Sequence, residues 1–199
     1  MKKEILGLGI TLCLFAVGAC VALSLVYTVT GPTIAGLEQA QLEATLKDLF
    51  PEADGFEELV GVIKSESPSV DIQNTWKATR DRAVIGLAVK GSASSYGGDA
   101  AMLVGVGIDK KIVGARVVSL SDTPGLGANA SNLTYFVDKQ SKTTFPGQFS
   151  GKAVLDPFEV KNDVIAISAS TITSKALTSI VKEAGLRSAS WLDSNGGAK

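Results

Sequence analysis

The chain has 199 residues, a formal net charge of −1, no histidine and two cysteines, Cys13 and Cys20. Acids and bases are interspersed, so the basic patch of nucleic-acid-binding proteins is missing and we expect no nucleic acid partner. Both cysteines lie in one apolar segment, where we interpret them as small residues at a helix contact. The rest of the chain lacks the usual ligands of zinc and iron–sulfur sites and the histidine of catalytic triads, so we expect neither kind of site.

Residues 5–29 form an uncharged, mostly apolar run. At about 1.5 Å per residue, a helix of this length exceeds the roughly 30 Å hydrocarbon core of a membrane. A secretory signal peptide is the alternative, but its apolar core is usually about 7 to 15 residues long. We therefore predict an uncleaved, single-pass transmembrane helix. Lys2 and Lys3 precede it and the next basic residue is Lys47, which predicts a cytoplasmic N-terminus (residues 1–4) and an extracytoplasmic C-terminal domain.

The sequence "TGP" at residues 30–32 is predicted to end the membrane helix, because proline disfavours helix in the residue before it. Apolar residues then recur at helical spacing up to Pro51. This pattern predicts an amphipathic stem helix within a linker that spans residues 30–52. The apolar positions of the stem are Leu42, Leu46, Leu49 and Phe50.

The remaining sequence predicts one α+β domain over residues 53–190 and a frayed tail over residues 191–199. Three runs rich in β-branched and small residues predict strands, and their short connections predict an antiparallel sheet. These runs are Ala83–Gly91, Ala100–Ile108 and Lys111–Leu120, and "DVIAIS" at residues 163–168 is a further strand candidate. An apolar stripe at helical spacing after Thr171 predicts a final helix, with Gly185 just past its end.

Three polar or glycine-rich stretches are candidates for a binding site, and each also has a simpler explanation. "ISASTITSKAL" (residues 167–177) places hydroxyls at a helix start, where they suit either a plain N-cap or a phosphate. "SSYGGD" (residues 94–99) is either a hairpin turn or a close approach of backbone to a flat ligand. "SDTPGLGAN" (residues 121–129) predicts a type II turn at Pro124-Gly125, with a second unusual backbone angle at Gly127.

A fourth stretch, "GQFSGKA" at residues 147–153, looks like a nucleotide phosphate loop but departs from its pattern. Three residues separate its glycines where the phosphate loop has four, and Ala153 replaces the Ser or Thr that would hold magnesium. We reject it as a nucleotide site.

Taken together, these stretches resemble one family over nearly the whole chain. They are "SSYGGDAAMLVGVGIDKKIVGARVVSLSDTPGLGAN", "FPGQFSGKA" and "ISASTITSKALTSIVKEAG". With the membrane helix and the stem containing "LKDLFPEA", they are similar to the G subunit of the Rnf electron-transport complex. The related C subunit of the Na+-translocating NADH:quinone reductase shares the same flavin-binding domain, but the length of this chain suits the Rnf protein better.

The resemblance implies that FMN is bound covalently, through its phosphate, by a phosphoester to a threonine. In the family a separate flavin transferase makes this bond outside the membrane, on an S-G-A-T-x-T-S motif. The matching element begins at Ser168 and makes Thr171 the implied acceptor, with Thr173 as the second choice. Thr173 and Ser174 would add hydrogen bonds to the phosphate. The candidates for the ring site are Tyr96, Gly97, Gly98, Thr123, Gly125, Leu126 and Gly127.

Three positions depart from the family motif. Ala169 stands where Gly is common, Ser170 where Ala is common, and Ile165 where many members have the Asp that begins the transferase's recognition pattern. Asp163, two residues earlier, is a possible substitute for that Asp.

The function implied is that of an electron-carrying subunit in a membrane-bound, ion-translocating ferredoxin:NAD+ oxidoreductase. Such a subunit would work with the other membrane subunits of the Rnf complex and would not be a complete enzyme alone. The alternatives are the equivalent subunit of the Na+-translocating NADH:quinone reductase and a membrane-anchored assembly or binding module without flavin. Electron transfer needs no general base, because the flavin carries the electrons, and this is consistent with a chain without histidine.

Overall fold

The computed structural model describes residues 2–195, and the chain divides into two compact units, Met1–Ala44 and Thr45–Lys199. The first unit is part of helix α1, which spans Lys2–Leu49. From Leu6 onward this helix is long and apolar enough to cross a membrane. Met1 of the predicted cytoplasmic N-terminus lies outside the described residues.

The predicted helix end at residues 30–32 is wrong, because α1 continues through Pro32 to Leu49. A proline inside a helix removes one backbone hydrogen bond and costs about 3 kcal/mol. The chain after Pro32 is rich in good helix formers such as Leu, Glu, Gln and Ala, which offset that cost. The hydroxyls of Thr28 and Thr30 donate to the carbonyl oxygens of Ser24 and Val26, so they supply additional hydrogen bonds just before the proline.

The second unit is built on a five-stranded antiparallel sheet in which neighbours in sequence are neighbours in space. Its strands are β1 (Gly55–Glu58), β2 (Asp71–Arg80), β3 (Ala83–Ser94), β4 (Asp99–Gly107) and β5 (Ile112–Ser119). The three predicted strands correspond to β3, β4 and β5, which confirms the antiparallel sheet and the α+β class. Sequence reasoning missed β1 and β2.

Helix α2 (Thr171–Asn195) packs on one face of the sheet. Val89, Met102 and Val104 of the central strands form a core with Leu177 and Ile180 of α2. On the opposite face, the buried Leu49 and Phe50 lie against backbone of the sheet, where Phe50 meets the glycines of β3 and β4. Of the predicted stem positions, Leu46 and Leu49 lie in the last turn of α1, and with Phe50 they are buried in the second unit.

Between β5 and α2 the chain forms short elements and turns. A 3-10 helix (Gly127–Ser131) is followed by a small hairpin of β6 (Phe136–Asp138) and β7 (Thr143–Thr144), and then by a second 3-10 helix (Gly147–Phe149). In the rejected phosphate loop, Phe149 is buried and packs edge-to-face on Phe145 at 5.5 Å between ring centroids.

Two further predictions about the C-terminal part are wrong. Residues 163–168 form no strand and make only an isolated bridge between Val160 and Val164. Helix α2 runs past Gly185 to Asn195, because residues after Gly185, including Ala189 and Leu192, are buried and hold the last turns against the domain. Leu192, in the predicted tail, is buried in the core. Residues 196–199 of that tail lie outside the described residues.

Candidate functional site

Three segments that are distant in sequence meet around one cavity of about 630 Å³. They are the β3–β4 hairpin tip (residues 95–98), the loop after β5 (residues 121–127) and the start of α2 (residues 169–173). The cavity is lined by Tyr96, Asp122, Thr123, Leu126, Gly127, Ala169, Ser170, Thr171, Ile172 and Thr173. A cavity of this size is in the range that holds cofactors and other small molecules.

The hairpin tip is a tight turn that lies directly on the loop after β5. Ser95 N–H donates to the carbonyl oxygen of Gly98 at 2.8 Å, which closes the turn. A Cβ atom on Gly97 would come within 2.3 Å of the carbonyl oxygen of Ser121, so only glycine allows this contact. The turn leaves the side chain of Tyr96 at the rim of the cavity, 73% exposed.

The loop after β5 contains the predicted turn. Leu126 N–H donates to the carbonyl oxygen of Thr123 at 3.1 Å, and Gly125 has φ +78°, as a type II turn requires at that position. The predicted unusual angle at Gly127 is wrong, since its φ is not positive. Glycine is needed there for space: a Cβ atom would lie 2.4 Å from Asp122 Oδ2 and 2.6 Å from Thr173 Oγ1.

Helix α2 begins with a turn whose hydroxyl groups have different roles. The hydroxyl of Ser174 accepts from Ile167 N–H and donates to the carbonyl oxygen of Ser170, both at 2.9 Å. Ser174 is completely buried and thus holds the chain entering the helix. Ser168 is exposed. Five of the predicted site residues do not line the cavity: Gly97, Gly98, Gly125, Ser168 and Ser174.

The two threonines of the first turn differ in access. Thr173 is 1% exposed, and its hydroxyl donates to Asp122 Oδ2. Thr171 is half-buried in the cavity wall, and its hydroxyl has no hydrogen-bond partner among residues 2–195. Ser174 N–H is the first amide of α2 to bond backward, to Ser170. The amides of the first turn therefore remain available to an anion beside Thr171.

Asp122 connects all three segments, and sequence reasoning did not select it. Its Oδ1 accepts from Gly97 N–H at 2.6 Å, and its Oδ2 accepts from the hydroxyls of Ser95, at 2.6 Å, and Thr173. Burial raises the pKa of this carboxyl, but the hydrogen bonds from Ser95, Thr173 and Gly97 together outweigh it and hold the pKa below its usual value. The group is therefore ionised near neutral pH.

The structure explains Gly127 through Asp122. The φ of Gly127 is not positive, and glycine is needed there because the carboxylate lies close by. The sequence alone gives no sign of this neighbour.

The segment before α2 is held by side chains from the preceding loop. Gln148 accepts from Ile165 N–H at 2.8 Å and donates to the Ile165 carbonyl oxygen at 3.1 Å. The Ile165 side chain remains 47% exposed. The Asp163 carboxylate accepts from Lys152 Nζ at 3.0 Å and from the N–H groups of Phe158 and Glu159. Asp163 thus has a structural role within the fold.

Comparison with known proteins is consistent with this architecture. Residues 95–185 match the family model of the FMN-binding domain, and residues 1–49 match that of the RnfG N-terminal region. The cavity-lining residues all lie within the first match.

Similar proteins cover most of the chain. The G subunit of the proton-translocating ferredoxin:NAD(+) oxidoreductase complex of Clostridium ljungdahlii is 34% identical, over 82% of this chain and 80% of its own length. The G subunit of the Na(+)-translocating ferredoxin:NAD(+) oxidoreductase complex of Acetobacterium woodii is 29% identical, over 89% and 88%. The G subunit of the ion-translocating oxidoreductase complex of Methanosarcina acetivorans is 28% identical, over 92% and 94%. The chain therefore belongs to the RnfG family, the G subunits of Rnf complexes, which carry an FMN-binding domain.

Proposed function

We propose that the chain carries FMN covalently, as a phosphoester of Thr171 Oγ1, and serves as the electron-carrying subunit of a membrane-bound, ion-translocating ferredoxin:NAD+ oxidoreductase. The names of the relatives support the complex, and the FMN-binding domain supports the cofactor. The bound FMN would supply the redox chemistry, and the protein would position and enclose it.

The observation that carries the choice of residue is the unequal access of the hydroxyls at the start of α2. Thr171 lies in the cavity wall with a hydroxyl that has no partner among the described residues. The hydroxyl of Thr173 is buried against Asp122, and that of Ser174 is buried between Ile167 and Ser170. Modification of either would break internal hydrogen bonds, whereas modification of Thr171 would break none of those described.

The residues of the cavity fit FMN in both size and chemistry. The amides and the positive end of the helix dipole at Thr171 suit a phosphate. The side chains of Tyr96, Leu126 and Ile172 give the cavity an apolar part for a flat aromatic ring. Because Gly127 has no side chain, its backbone lies close to Asp122 and this position places no side chain in the cavity.

The departures from the family motif bear on the transferase more than on the cavity. Ile165 presents an exposed side chain, while Gln148 holds its backbone, so the position is accessible but lacks the expected carboxylate. Asp163 is a poor substitute, because its oxygens already bind Lys152 and two backbone amides. We therefore expect slower attachment of flavin than in relatives with the full motif.

Flavin fluorescence on a denaturing gel tests the attachment. The full chain is expressed together with its flavin transferase, and the band is expected to fluoresce. Thr171→Ala should be dark, whereas Thr171→Ser, which keeps a hydroxyl, should fluoresce. A dark band for the unaltered chain would favour a membrane-anchored module without flavin. Fluorescence that persists in Thr171→Ala and disappears in Thr173→Ala would move the acceptor to Thr173.

We also propose that α1 holds the protein in the cytoplasmic membrane with its N-terminus inside and the FMN-binding domain outside, where the transferase acts. The long apolar helix and the two lysines at its start support this orientation. Protease added to right-side-out cells should then digest the second unit. Full protection of that unit would contradict the orientation.

A further inference from the structure

Asp122 is a buried carboxylate in the wall of the cavity, 6% exposed. Within the described part of the chain it accepts from three neutral donors: the Ser95 hydroxyl, the Gly97 amide and the Thr173 hydroxyl. No lysine or arginine among residues 2–195 pairs with it. The negative charge is therefore solvated by dipoles and is not cancelled by a cation.

The three donors come from two segments that are distant in sequence and meet at the cavity. Ser95 and Gly97 belong to the hairpin tip, and Thr173 belongs to the first turn of α2. One carboxylate thus sets the separation of the hairpin tip and the helix start. An ionised acceptor makes shorter and stronger hydrogen bonds than a neutral one, which suits this role.

An uncancelled charge in the cavity wall acts on whatever the cavity holds. Charges interact more strongly in a buried environment than in water, since the effective dielectric constant is lower. The partial positive charge at the start of α2 would be taken up by the phosphate at Thr171. The charge of Asp122 then remains to repel electrons added to the ring.

We propose that Asp122 is the positioning residue of this cavity: its carboxylate fixes the hairpin tip to the start of α2 and lowers the midpoint reduction potential of the bound flavin. This inference rests on the proposed function, because it requires FMN in the cavity. It assigns to Asp122 no bond to the flavin and no proton transfer.

The test is the midpoint potential, measured by spectroelectrochemical titration of the full chain in detergent after the gel has shown flavin on the band. Asp122→Asn removes the charge at nearly constant size, and its midpoint should shift to a more positive potential. The matched control is Ser95→Ala, which removes one donor and keeps the charge. Its midpoint should stay unchanged or become more negative, because the carboxylate has lost a stabilising dipole.

The sign of the shift in midpoint potential distinguishes the loss of the charge from a looser structure. An Asp122→Asn midpoint equal to that of the unaltered chain overturns the inference. A positive shift of the same size in Ser95→Ala also overturns it, since looser packing would then be the cause. A dark band for the unaltered chain contradicts the covalent FMN itself, which is a separate result.

A second measurement does not depend on whether Asp122→Asn folds or binds flavin. Redox-difference infrared spectra of the unaltered chain, labelled with 13C-aspartate, should contain a carboxylate band that differs between the oxidised and reduced states. This band should move in Ser95→Ala, because that variant changes a hydrogen bond to Asp122. No redox-dependent carboxylate band, or a band that Ser95→Ala leaves in place, overturns the inference.

Discussion

Two largely buried carboxylates, Asp122 and Asp163, are held in different ways. Asp163 has a lysine partner: Lys152 Nζ lies 3.0 Å from its Oδ2, and two backbone amides complete its hydrogen bonds. Among residues 2–195, the donors to Asp122 are all neutral. Where the carboxylate only holds loops together, the protein cancels its charge, and where it lines the cavity, the charge is left uncancelled.

The pKa values of both groups are lowered despite opposing burial. For Asp163, burial raises the pKa, and the Glu159 amide and the Lys152 ammonium outweigh it. For Asp122, neutral hydrogen bonds alone outweigh burial. Ionisation therefore does not require a cation, but the two sites should respond differently when a partner is removed.

The largest expected effect is at the site with the cation. Lys152→Met leaves Asp163 largely buried without its counter-charge, and we expect the free energy of unfolding to fall by about 3 kcal/mol. Urea denaturation of the full chain in detergent, followed by tryptophan fluorescence, measures this. Both tryptophans, Trp76 and Trp191, lie in the second unit, so the signal reports on that unit.

The matched control for this change is Lys182→Met. Lys152 also donates to the carbonyl oxygen of Asp163. Lys182 makes a similar bond to the carbonyl oxygen of Pro157, but at an exposed site and without a carboxylate partner among the described residues. We expect its loss to change the free energy of unfolding by less than about 0.5 kcal/mol. Equal losses in the two variants would contradict a specific role for the Lys152–Asp163 pair.

The second effect is at Asp122. An asparagine amide cannot accept from Gly97 and from the two hydroxyls with the same geometry, so Asp122→Asn should lower the free energy of unfolding by about 2 kcal/mol at neutral pH. Since the folded pKa of Asp122 is lowered, its contribution is fully present above the ordinary value of 3.8 and is lost as the pH falls through the folded pKa. The gap between the two proteins should therefore narrow in acid.

Urea midpoints measured from about pH 7 down to pH 3 check this dependence. Asp99→Asn is the control in the same hairpin, because Asp99 accepts from Ser94 at an exposed site. It should change the stability by less than about 0.5 kcal/mol at any of these pH values. A gap for Asp122→Asn that stays constant into acid would contradict an ionised carboxylate as the stabilising group.

The smallest expected effect on the free energy of unfolding is at Ala169, which lines the cavity with Asp122. This residue has φ +58°, a left-handed conformation that a Cβ atom disfavours. Glycine adopts it without strain. Ala169→Gly should raise the free energy of unfolding by roughly 0.5 to 1 kcal/mol, the strain relieved less the added freedom of the unfolded chain.

The control is Ala166→Gly, in the same segment but without a positive φ. It should lower the stability slightly, because glycine only adds freedom to the unfolded chain. A gain of the same size at both positions would show that the left-handed conformation of Ala169 is not the cause.

The strands differ in how clearly the sequence predicts them. Strands β3 and β4 were predictable because their apolar runs are largely buried on both faces. Strand β5 is less buried and was predictable from its β-branched residues. Strand β2 was missed because polar residues interrupt its apolar pattern. Asp71, Gln73 and Asn74 lie in the first half of β2, which does not pair with β1. The continuation of α1 through Pro32 and of α2 through Gly185 was not predicted, because a single proline or glycine does not end a helix when the residues after it favour one.

The sequence by itself determined the local features: an apolar helix long enough to span a membrane, an antiparallel sheet, a type II turn at Gly125 and a hydroxyl-rich helix start with Thr171. It also placed the chain in its family, since these motifs follow one another in a fixed order. Only the tertiary structure decided which hydroxyl is accessible and which is used internally. It also identified Asp122, because a carboxylate that joins three distant segments through unlike donors leaves no periodic pattern in the chain.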